Sequence, residues 1–206
     1  MKIIARDVPP RTAWSLEQAG VHPLLARLFA ARGVRSAEEL DDNASKLLPP
    51  QTLRGTQEAA VLLADAIAQG QRICIVADYD CDGATACATG LRGLRMLGAR
   101  PDQLSYVVPD RALHGYGLTP PIVELVKAQQ ADVLVTVDNG MASHEAVTRA
   151  RALGMRVIIT DHHLPVVLDD GQVSLPDADV IVNPNQPGCD FASKALVGVG
   201  VMFYVL

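Results

Sequence analysis

The chain has 206 residues, of which 49% are hydrophobic, and its formal net charge at pH 7 is −5. That length and composition allow one main domain with a buried core, and the acidic balance argues against a broadly basic nucleic-acid surface. The chain contains neither the roughly 20 consecutive apolar residues of a membrane span nor the apolar core of a secretory signal at its start, so we expect a cytoplasmic protein without membrane contacts.

The first part of the chain, residues 1–55, is predicted to form a helical lead-in. Apolar residues recur at helical spacing from Trp14 to Gly33, and Gly33 is placed to end that helix. The sequence Ser36-Ala37-Glu38-Glu39 is a capping-box pattern that opens another short helix. A loop with two adjacent prolines follows, so we place a domain boundary after residue 55.

From residue 56 the pattern changes to alternating helices and strands, which predicts an α/β domain over 56–206. Helices are predicted at about 57–68, 84–97, 119–130 and 143–153, and strands at 73–77, 104–108, 133–137, 156–160 and 180–182. Connections of that length join parallel strands, so the expected fold class is a mostly parallel sheet with helices on both faces.

The last segment, residues 191–206, is largely apolar and stops without a polar tail. Because chain termini normally reach the solvent, this pattern favours a domain that is truncated at its C-terminus. The alternative is a terminal helix that packs on the sheet.

Three aspartates, Asp78, Asp80 and Asp82, alternate directly after the first strand. Carboxylates this close repel each other unless cations lie between them, which favours hard ions such as Mg²⁺ or Mn²⁺. The alternative is a helix cap beside a solvated turn, which accounts for one aspartate better than for three.

A second acidic position, Asp138, follows the valine-rich strand 133–137. Its context, Asp138-Asn139-Gly140, is also ordinary turn chemistry. The carboxyl ends of parallel strands share one edge of a sheet, where ligands bind, so its position favours a place beside the first cluster.

A third strand end carries Asp161-His162-His163, which adds nitrogen ligands. Imidazole suits Mn²⁺ better than Mg²⁺. Adjacent side chains diverge, so one histidine can bind a metal while the other faces the substrate. When it is protonated, that second histidine attracts a phosphate or protonates a leaving oxygen. We expect His22 and His144, which lack such neighbours, to be surface residues.

The loop after strand 104–108 contains Arg111 and then His114-Gly115-Tyr116. Arginine bonds phosphate through two parallel N–H groups, and glycine lets the backbone approach a ligand closely. We expect these four residues to bind substrate together with His163; an ordinary loop with a surface arginine is the alternative.

About four carboxylates and one or two imidazoles on one sheet edge are typical of a two-metal site. Such a site holds a phosphate between its ions, lowers the pKa of a bound water and stabilises the charge that develops as the P–O bond breaks. The predicted reaction class is therefore hydrolysis of phosphoesters or phosphoanhydrides.

Together these motifs resemble the DHH phosphoesterase superfamily, which is named for the last triplet. The matching segments are Asp78-Tyr79-Asp80-Cys81-Asp82-Gly83, Arg111 with Gly115-Tyr116-Gly117, Val137-Asp138-Asn139-Gly140 and Asp161-His162-His163. Within the superfamily, the lead-in around His22–Arg27 and the segment Arg111–Leu118 are similar to those of the bacterial 5′→3′ exonucleases that act on single-stranded DNA in repair and recombination. The resemblance extends over nearly the whole chain.

The resemblance also implies roles for individual residues. Metal binding is implied for Asp80, Asp82, Asp138 and His162, with two ions, Mn²⁺ or Mg²⁺, in the complete enzyme. Catalytic roles are implied for Asp78, which is either a ligand or in contact with one, for Arg111, and for His163, which faces the phosphate. The family has a further metal-binding aspartate and a second domain that closes over the nucleic acid, and neither is recognisable before Leu206. We therefore expect the N-terminal part of a catalytic core.

Two other functions stay open. One is hydrolysis of a small substrate, such as short oligonucleotides, cyclic dinucleotides or pyrophosphate; the other is a non-catalytic binding module whose acids hold a structural ion. The partners expected for the exonuclease are single-stranded DNA, a helicase and a single-strand-binding protein, and the expected state is a monomer.

Overall fold

The computed structural model describes residues 4–206, so residues 1–3 of the predicted lead-in lie outside the described residues. Two compact units divide between Leu47 and Leu48, ahead of the predicted boundary after residue 55. Leu53 explains the difference, because its side chain is 1% exposed and belongs to the core of the second unit. No helix within residues 4–206 is long and apolar enough to cross a bilayer.

The first unit contains two α-helices, α1 (Pro10–Gln18) and α2 (Pro23–Ala30). The prediction of one helix from Trp14 to Gly33 was therefore wrong. Gly20 has a φ of +92°, and Pro23 opens a new helix because proline has no N–H to donate to the preceding turn. The two helices bury apolar side chains between them, among them Ala13, Leu16, Ala26 and Ala30.

The second unit contains a five-stranded parallel sheet with helices on both faces. Its α-helices are α3 (Thr56–Ala68), α4 (Cys81–Met96), α5 (Arg111–His114), α6 (Pro120–Ala128), α7 (His144–Ala152) and α8 (Gly198–Val205). Its strands are β1 (Ile73–Ala77), β2 (Leu104–Val107), β3 (Val133–Val137), β4 (Arg156–Thr160), β5 (Val166–Val167), β6 (Val173–Ser174) and β7 (Val180–Val182). The main sheet has the order β2-β1-β3-β4-β7, while β5 and β6 form a small antiparallel pair.

Alternate side chains of each central strand enter two different cores. Ile73 and Ile75 of β1 face the layer of α3, α4 and α8, whereas Cys74 and Val76 face the layer of α6 and α7. All five residues of β1 and of β3 are buried, which is the reason that these strands are apolar at every position except Thr136.

The predicted fold class is confirmed, and the four strands 73–77, 133–137, 156–160 and 180–182 have the predicted bounds. The sequence did not predict the short pair β5 and β6. The apolar segment at the end of the chain contains α8, which packs on α4 and on the sheet.

We expect Gly55→Ala to lower the free energy of unfolding by about 3 kcal/mol. Gly55 has a φ of +87°, and a Cβ there would collide with the main-chain oxygen of Ile181. Gly154→Ala is the matched control, since Gly154 has a φ of +80° but no atom within 4 Å of the added Cβ. The control should lose only about 1 kcal/mol. Urea unfolding measures both; equal losses would contradict the steric argument.

Candidate metal centre

Three acidic residues directly follow neighbouring strands at one edge of the sheet. Ala77 of β1 pairs with Val137 of β3, which pairs with Thr160 of β4. The next residues along the chain are Asp78, Asp138 and Asp161, so the sheet itself aligns them. The chain runs from β1 to the edge strand β2 and then crosses back to β3, so the strand order reverses between β1 and β3. Such a reversal opens the crevice where α/β sheets bind ligands.

Asp138 is the central residue of this edge. It is 2% exposed and has a φ of +61°, a left-handed conformation that few non-glycine residues adopt and that is concentrated at functional sites. Its Oδ1 atom is buried without a hydrogen-bond partner. The Nε2 atom of His162 lies 3.0 Å from that oxygen without forming a hydrogen bond with it. A buried carboxylate oxygen without a donor fits a cation ligand.

Asp138 belongs to two groups of side chains that could each hold a metal ion. One group is Asp78, Asp80 and Asp138, and the other is Asp138, His162 and His163; within each, one ligand atom per residue lies within 4.8 Å of the others. Burial raises the pKa of Asp138 to about 7, and the nearby charges of Asp82 and Asp80 contribute to that rise. Because the same carboxylates would be stabilised by divalent ions between them, the donor set fits such ions.

Two aspartates of the first cluster, Asp80 and Asp82, also accept hydrogen bonds that cap helices. The Oδ1 atom of Asp80 accepts a hydrogen bond from the N–H of Gly83 at 2.9 Å and so caps α4. The Oδ2 and Oδ1 atoms of Asp82 accept from the N–H groups of Gly198 and Val199 at 2.7 and 2.8 Å, which caps α8. Each carboxylate oxygen has a further lone pair, so capping does not prevent metal binding.

Neither group of potential ligands among the described residues includes Asp82. Its Oδ2 atom lies 3.8 Å from Nε2 of His162, so it borders the second group. Asp78 is 4% exposed, and burial raises the pKa of its carboxyl group. The helix-cap interpretation accounts for hydrogen bonds of Asp80 and Asp82, and it leaves lone pairs of both carboxylates available to a cation.

Asp161 holds His163 in place. Its Oδ1 atom lies 2.7 Å from Nδ1 of His163 and accepts from the main-chain N–H groups of both histidines, while Oδ2 accepts from the N–H of Met141. Burial tends to raise the pKa of Asp161, but the hydrogen bonds from His163 and Met141 outweigh it and lower that pKa. The hydrogen bond between Nδ1 of His163 and Oδ1 of Asp161 raises the pKa of His163. With Nδ1 held by Asp161, the Nε2 atom of His163 is left to face a ligand.

The loop residues predicted to bind substrate divide into two sets. The guanidinium of Arg111 lies over the ring of Tyr79, 5.1 Å from its centroid, and Tyr79 makes an edge contact with Tyr116. The hydroxyl of Tyr116 donates to the main-chain oxygen of Asp138 at 3.1 Å and lies 3.4 Å from Nε2 of His163. Arg111 and Tyr116 are thus brought to the candidate metal centre.

The other two loop residues lie differently. His114 accepts a hydrogen bond at Nδ1 from the N–H of Asp110, 3.1 Å away, so its ring folds back on α5. Gly115 is exposed, with a φ of +75°.

A cavity of about 370 Å³ opens beside His163 and is lined also by Tyr116, Met141 and His144. His144, which was expected at the surface, is partly exposed, while its Nε2 atom is enclosed without a hydrogen-bond partner. His22 is exposed as predicted, and its Nδ1 atom accepts from the N–H of Leu24.

Sequence reasoning missed two asparagines that contact the histidine pair. Asn185 donates to the main-chain oxygen of His162, and Asn183 donates to that of His163. Asn183 directly follows β7, which is the position that Asp78, Asp138 and Asp161 occupy after their own strands. A position directly after a strand could have marked Asn183 as a site residue. The segment Asn183-Pro184-Asn185 is also typical of a turn, so the sequence alone favoured a turn.

Asp161→Asn should lower the free energy of unfolding by about 2–3 kcal/mol. Both oxygens of the Asp161 carboxylate now accept hydrogen bonds from N–H groups. In asparagine one of these oxygens is replaced by an NH₂ group, which cannot accept such a bond. The exposed Asp169 provides the control, because Asp169→Asn makes the same change without buried partners. Thermal unfolding of the metal-free protein compares the two, and an unchanged stability of Asp161→Asn would contradict this role.

A family model described as "DHH family, N-terminal domain" matches residues 72–206. The chain belongs to the DHH family. The match begins just before β1 and continues through α8, so it covers every strand and every site residue discussed above.

Curated relatives of this DHH chain carry the name single-stranded-DNA-specific exonuclease RecJ. The protein of Salmonella typhimurium is 50% identical over 188 residues, and that of Escherichia coli is 47% identical over 188 residues. Each alignment covers 91% of this chain but 31% of the relative. The chain therefore spans about a third of the curated relatives that it matches.

Solved structures similar to this DHH chain contain bound metal. RecJ from Thermus thermophilus in complex with Mn²⁺ has a TM-score of 0.67 and 33% identity, covering 96% of this chain and 26% of that one. An exonuclease RecJ bound to manganese has a TM-score of 0.65 and 34% identity, covering 77% of this chain and 38% of that one. A third structure, of the Thermus protein with Mg²⁺, has a TM-score of 0.54 and 30% identity, covering 96% of this chain and 23% of that one.

Proposed function

We propose that this chain is the N-terminal part of the catalytic core of a metal-dependent exonuclease that hydrolyses single-stranded DNA in the 5′→3′ direction. The observation that carries the proposal is the sharing of Asp138 by two groups of ligands in a chain up to 50% identical to RecJ. We also propose a role in DNA repair and recombination, a cytoplasmic location, a monomeric state, and partnership with a helicase and a single-strand-binding protein.

The proposed ions are two divalent cations, Mn²⁺ or Mg²⁺, since similar structures are complexes with these ions. The proposed ligands are Asp80, Asp82, Asp138 and His162, with Asp78 beside them. Bound there, the ions would supply Lewis-acid stabilisation of phosphate oxygens and a water of lowered pKa. The imidazole of His162 adds a nitrogen donor, which favours Mn²⁺.

The remaining side chains would bind and orient the phosphodiester. His163 presents Nε2 toward the substrate because Asp161 holds its Nδ1 atom at 2.7 Å. Arg111, held over the ring of Tyr79, offers two parallel N–H groups to a phosphate. Tyr116, whose hydroxyl donates to the main-chain oxygen of Asp138, makes edge contacts with the rings of Tyr79 and His163. His114 and Gly115 would contribute through the shape of the loop.

The test uses the protein at its natural full length, with Mn²⁺, on single-stranded DNA labelled at either the 5′ or the 3′ end. The proposal predicts immediate release of small product from the 5′ label, while the 3′-labelled strand shortens progressively. Duplex DNA of the same sequence is the control and should resist. Attack from the 3′ end would overturn the polarity. No attack on either strand would overturn the exonuclease in favour of a small phosphoester substrate or a binding module.

A further inference from the structure

Every polar main-chain group of His162 and His163 forms a hydrogen bond with a side chain. These residues follow β4 and belong to no strand or helix. Their two N–H groups donate to Oδ1 of Asp161 at 2.7 and 3.1 Å. Their two carbonyl oxygens accept from Nδ2 of Asn185 at 2.7 Å and Nδ2 of Asn183 at 2.9 Å. The position of both imidazoles therefore depends on two asparagine amides as well as on Asp161.

The sheet places these amides accurately. Val182 of β7 pairs with Thr160 of β4, so Asn183 emerges beside Asp161. Asn183 is completely buried, and its Oδ1 atom accepts from the N–H of Asn185 at 2.7 Å. This local turn directs the second amide toward His162. Lys194 fixes the same turn by donating to the carbonyl oxygen of Pro184 at 2.7 Å.

We propose that Asn183 and Asn185 are positioning residues that set the metal affinity of the centre by fixing the main chain of His162 and His163. The inference rests on the proposed function, because it takes His162 as a metal ligand. Partners that orient a ligand typically change metal affinity by about 10–100-fold when they are removed. Neither asparagine needs to contact the ion, since each acts through a histidine carbonyl.

Asn185 is the better position for a test, because it is partly exposed while Asn183 is fully buried. In the full-length protein, Asn185→Ala should raise the dissociation constant for Mn²⁺ about tenfold or more. Asn185→Asp keeps the shape but cannot donate to the carbonyl of His162, and it should weaken binding similarly. The measurement is the electron paramagnetic resonance signal of free Mn²⁺ during titration, which requires no DNA hydrolysis.

Gln186→Ala is the matched control. Gln186 is the next residue, is 6% exposed, and its amide donates to the main-chain oxygens of Ile181 and Arg54 but to neither histidine. Its loss should lower the unfolding temperature while leaving the Mn²⁺ dissociation constant within about twofold, which separates positioning from general destabilisation.

The outcomes separate this inference from the proposed function. Unchanged Mn²⁺ affinity in both Asn185 variants, or equal weakening in Gln186→Ala, would overturn the positioning role. If the unaltered protein binds Mn²⁺ but does not cut single-stranded DNA, the exonuclease is rejected while weakening confined to the Asn185 variants still supports the positioning role. Absence of Mn²⁺ binding by the unaltered protein would overturn both.

Discussion

Asp138→Asn in the full-length protein is expected to reduce hydrolysis of single-stranded DNA about a thousandfold or more while leaving the fold intact. Asp138 is common to both groups of potential ligands, so its charge contributes to each proposed ion. Asparagine is the appropriate replacement because it tolerates the φ of +61° at this position better than most residues. A loss of activity can then be attributed to the missing charge.

The stability of the metal-free Asp138→Asn protein should not fall, although its activity does. In the metal-free protein, burial and the charges of Asp82 and Asp80 disfavour an ionised Asp138. The neutral amide removes that repulsion, so the metal-free variant should be at least as stable as the unaltered protein. The rise in unfolding temperature on adding Mn²⁺ should be lost. Asp65→Asn, on the exposed face of α3, is the control for removing one acid. A nearly unaltered rate together with a retained Mn²⁺ response would refute this role of Asp138.

Gly198→Ala is expected to weaken Mn²⁺ binding by about tenfold or more and to reduce hydrolysis with it. A Cβ on Gly198 would lie 2.7 Å from both Cβ and Oδ1 of Asp138, so either that carboxylate or the start of α8 must move. The start of α8 also holds Asp82 through the N–H of Gly198. Both aspartates would therefore be displaced by one methyl group.

Helix propensity alone predicts no loss of Mn²⁺ binding, which makes this substitution informative. Alanine is up to about 1 kcal/mol more favourable than glycine in a helix, so α8 itself should not be weakened by the change. Gly200→Ala, two residues further along α8, is the matched control, since its added Cβ meets the end of the flexible Leu196 side chain. The control should bind Mn²⁺ normally. Titration with Mn²⁺ decides between the two effects, and equal affinities for the two variants would show that Gly198 does not constrain Asp138.

The strands and the acidic positions could be predicted because both depend on local pattern. A strand buried on both faces is a nearly continuous apolar run, as in Ile73–Ala77 and the valine-rich Val133–Val137, and its bounds follow from that run. The residue after each strand then lies at a known edge of the sheet. In the first unit, the apolar residues keep helical spacing across the turn at Gly20, so their spacing alone could not reveal that α1 and α2 are separate helices.

The unpredicted parts of the site depend on contacts between distant segments. Asp82 meets the start of α8, 116 residues further along the chain. Asn185 meets His162 across the turn after β7. These side chains belong to types that are common in turns and caps, so local sequence gives them an ordinary interpretation. Only the packing of α8 and the register of β7 bring them to the centre.

The alignment of β1, β3 and β4 also has a kinetic consequence. The acids after β1 meet Asp138 and His162 only after three strands, separated by long crossovers, have paired in parallel. Such non-local pairing forms slowly. The proposed ions thus bind an assembled sheet and are absent from the early steps of folding. Their stabilisation should appear as a slower unfolding rate, while the rate of folding stays nearly the same with and without metal.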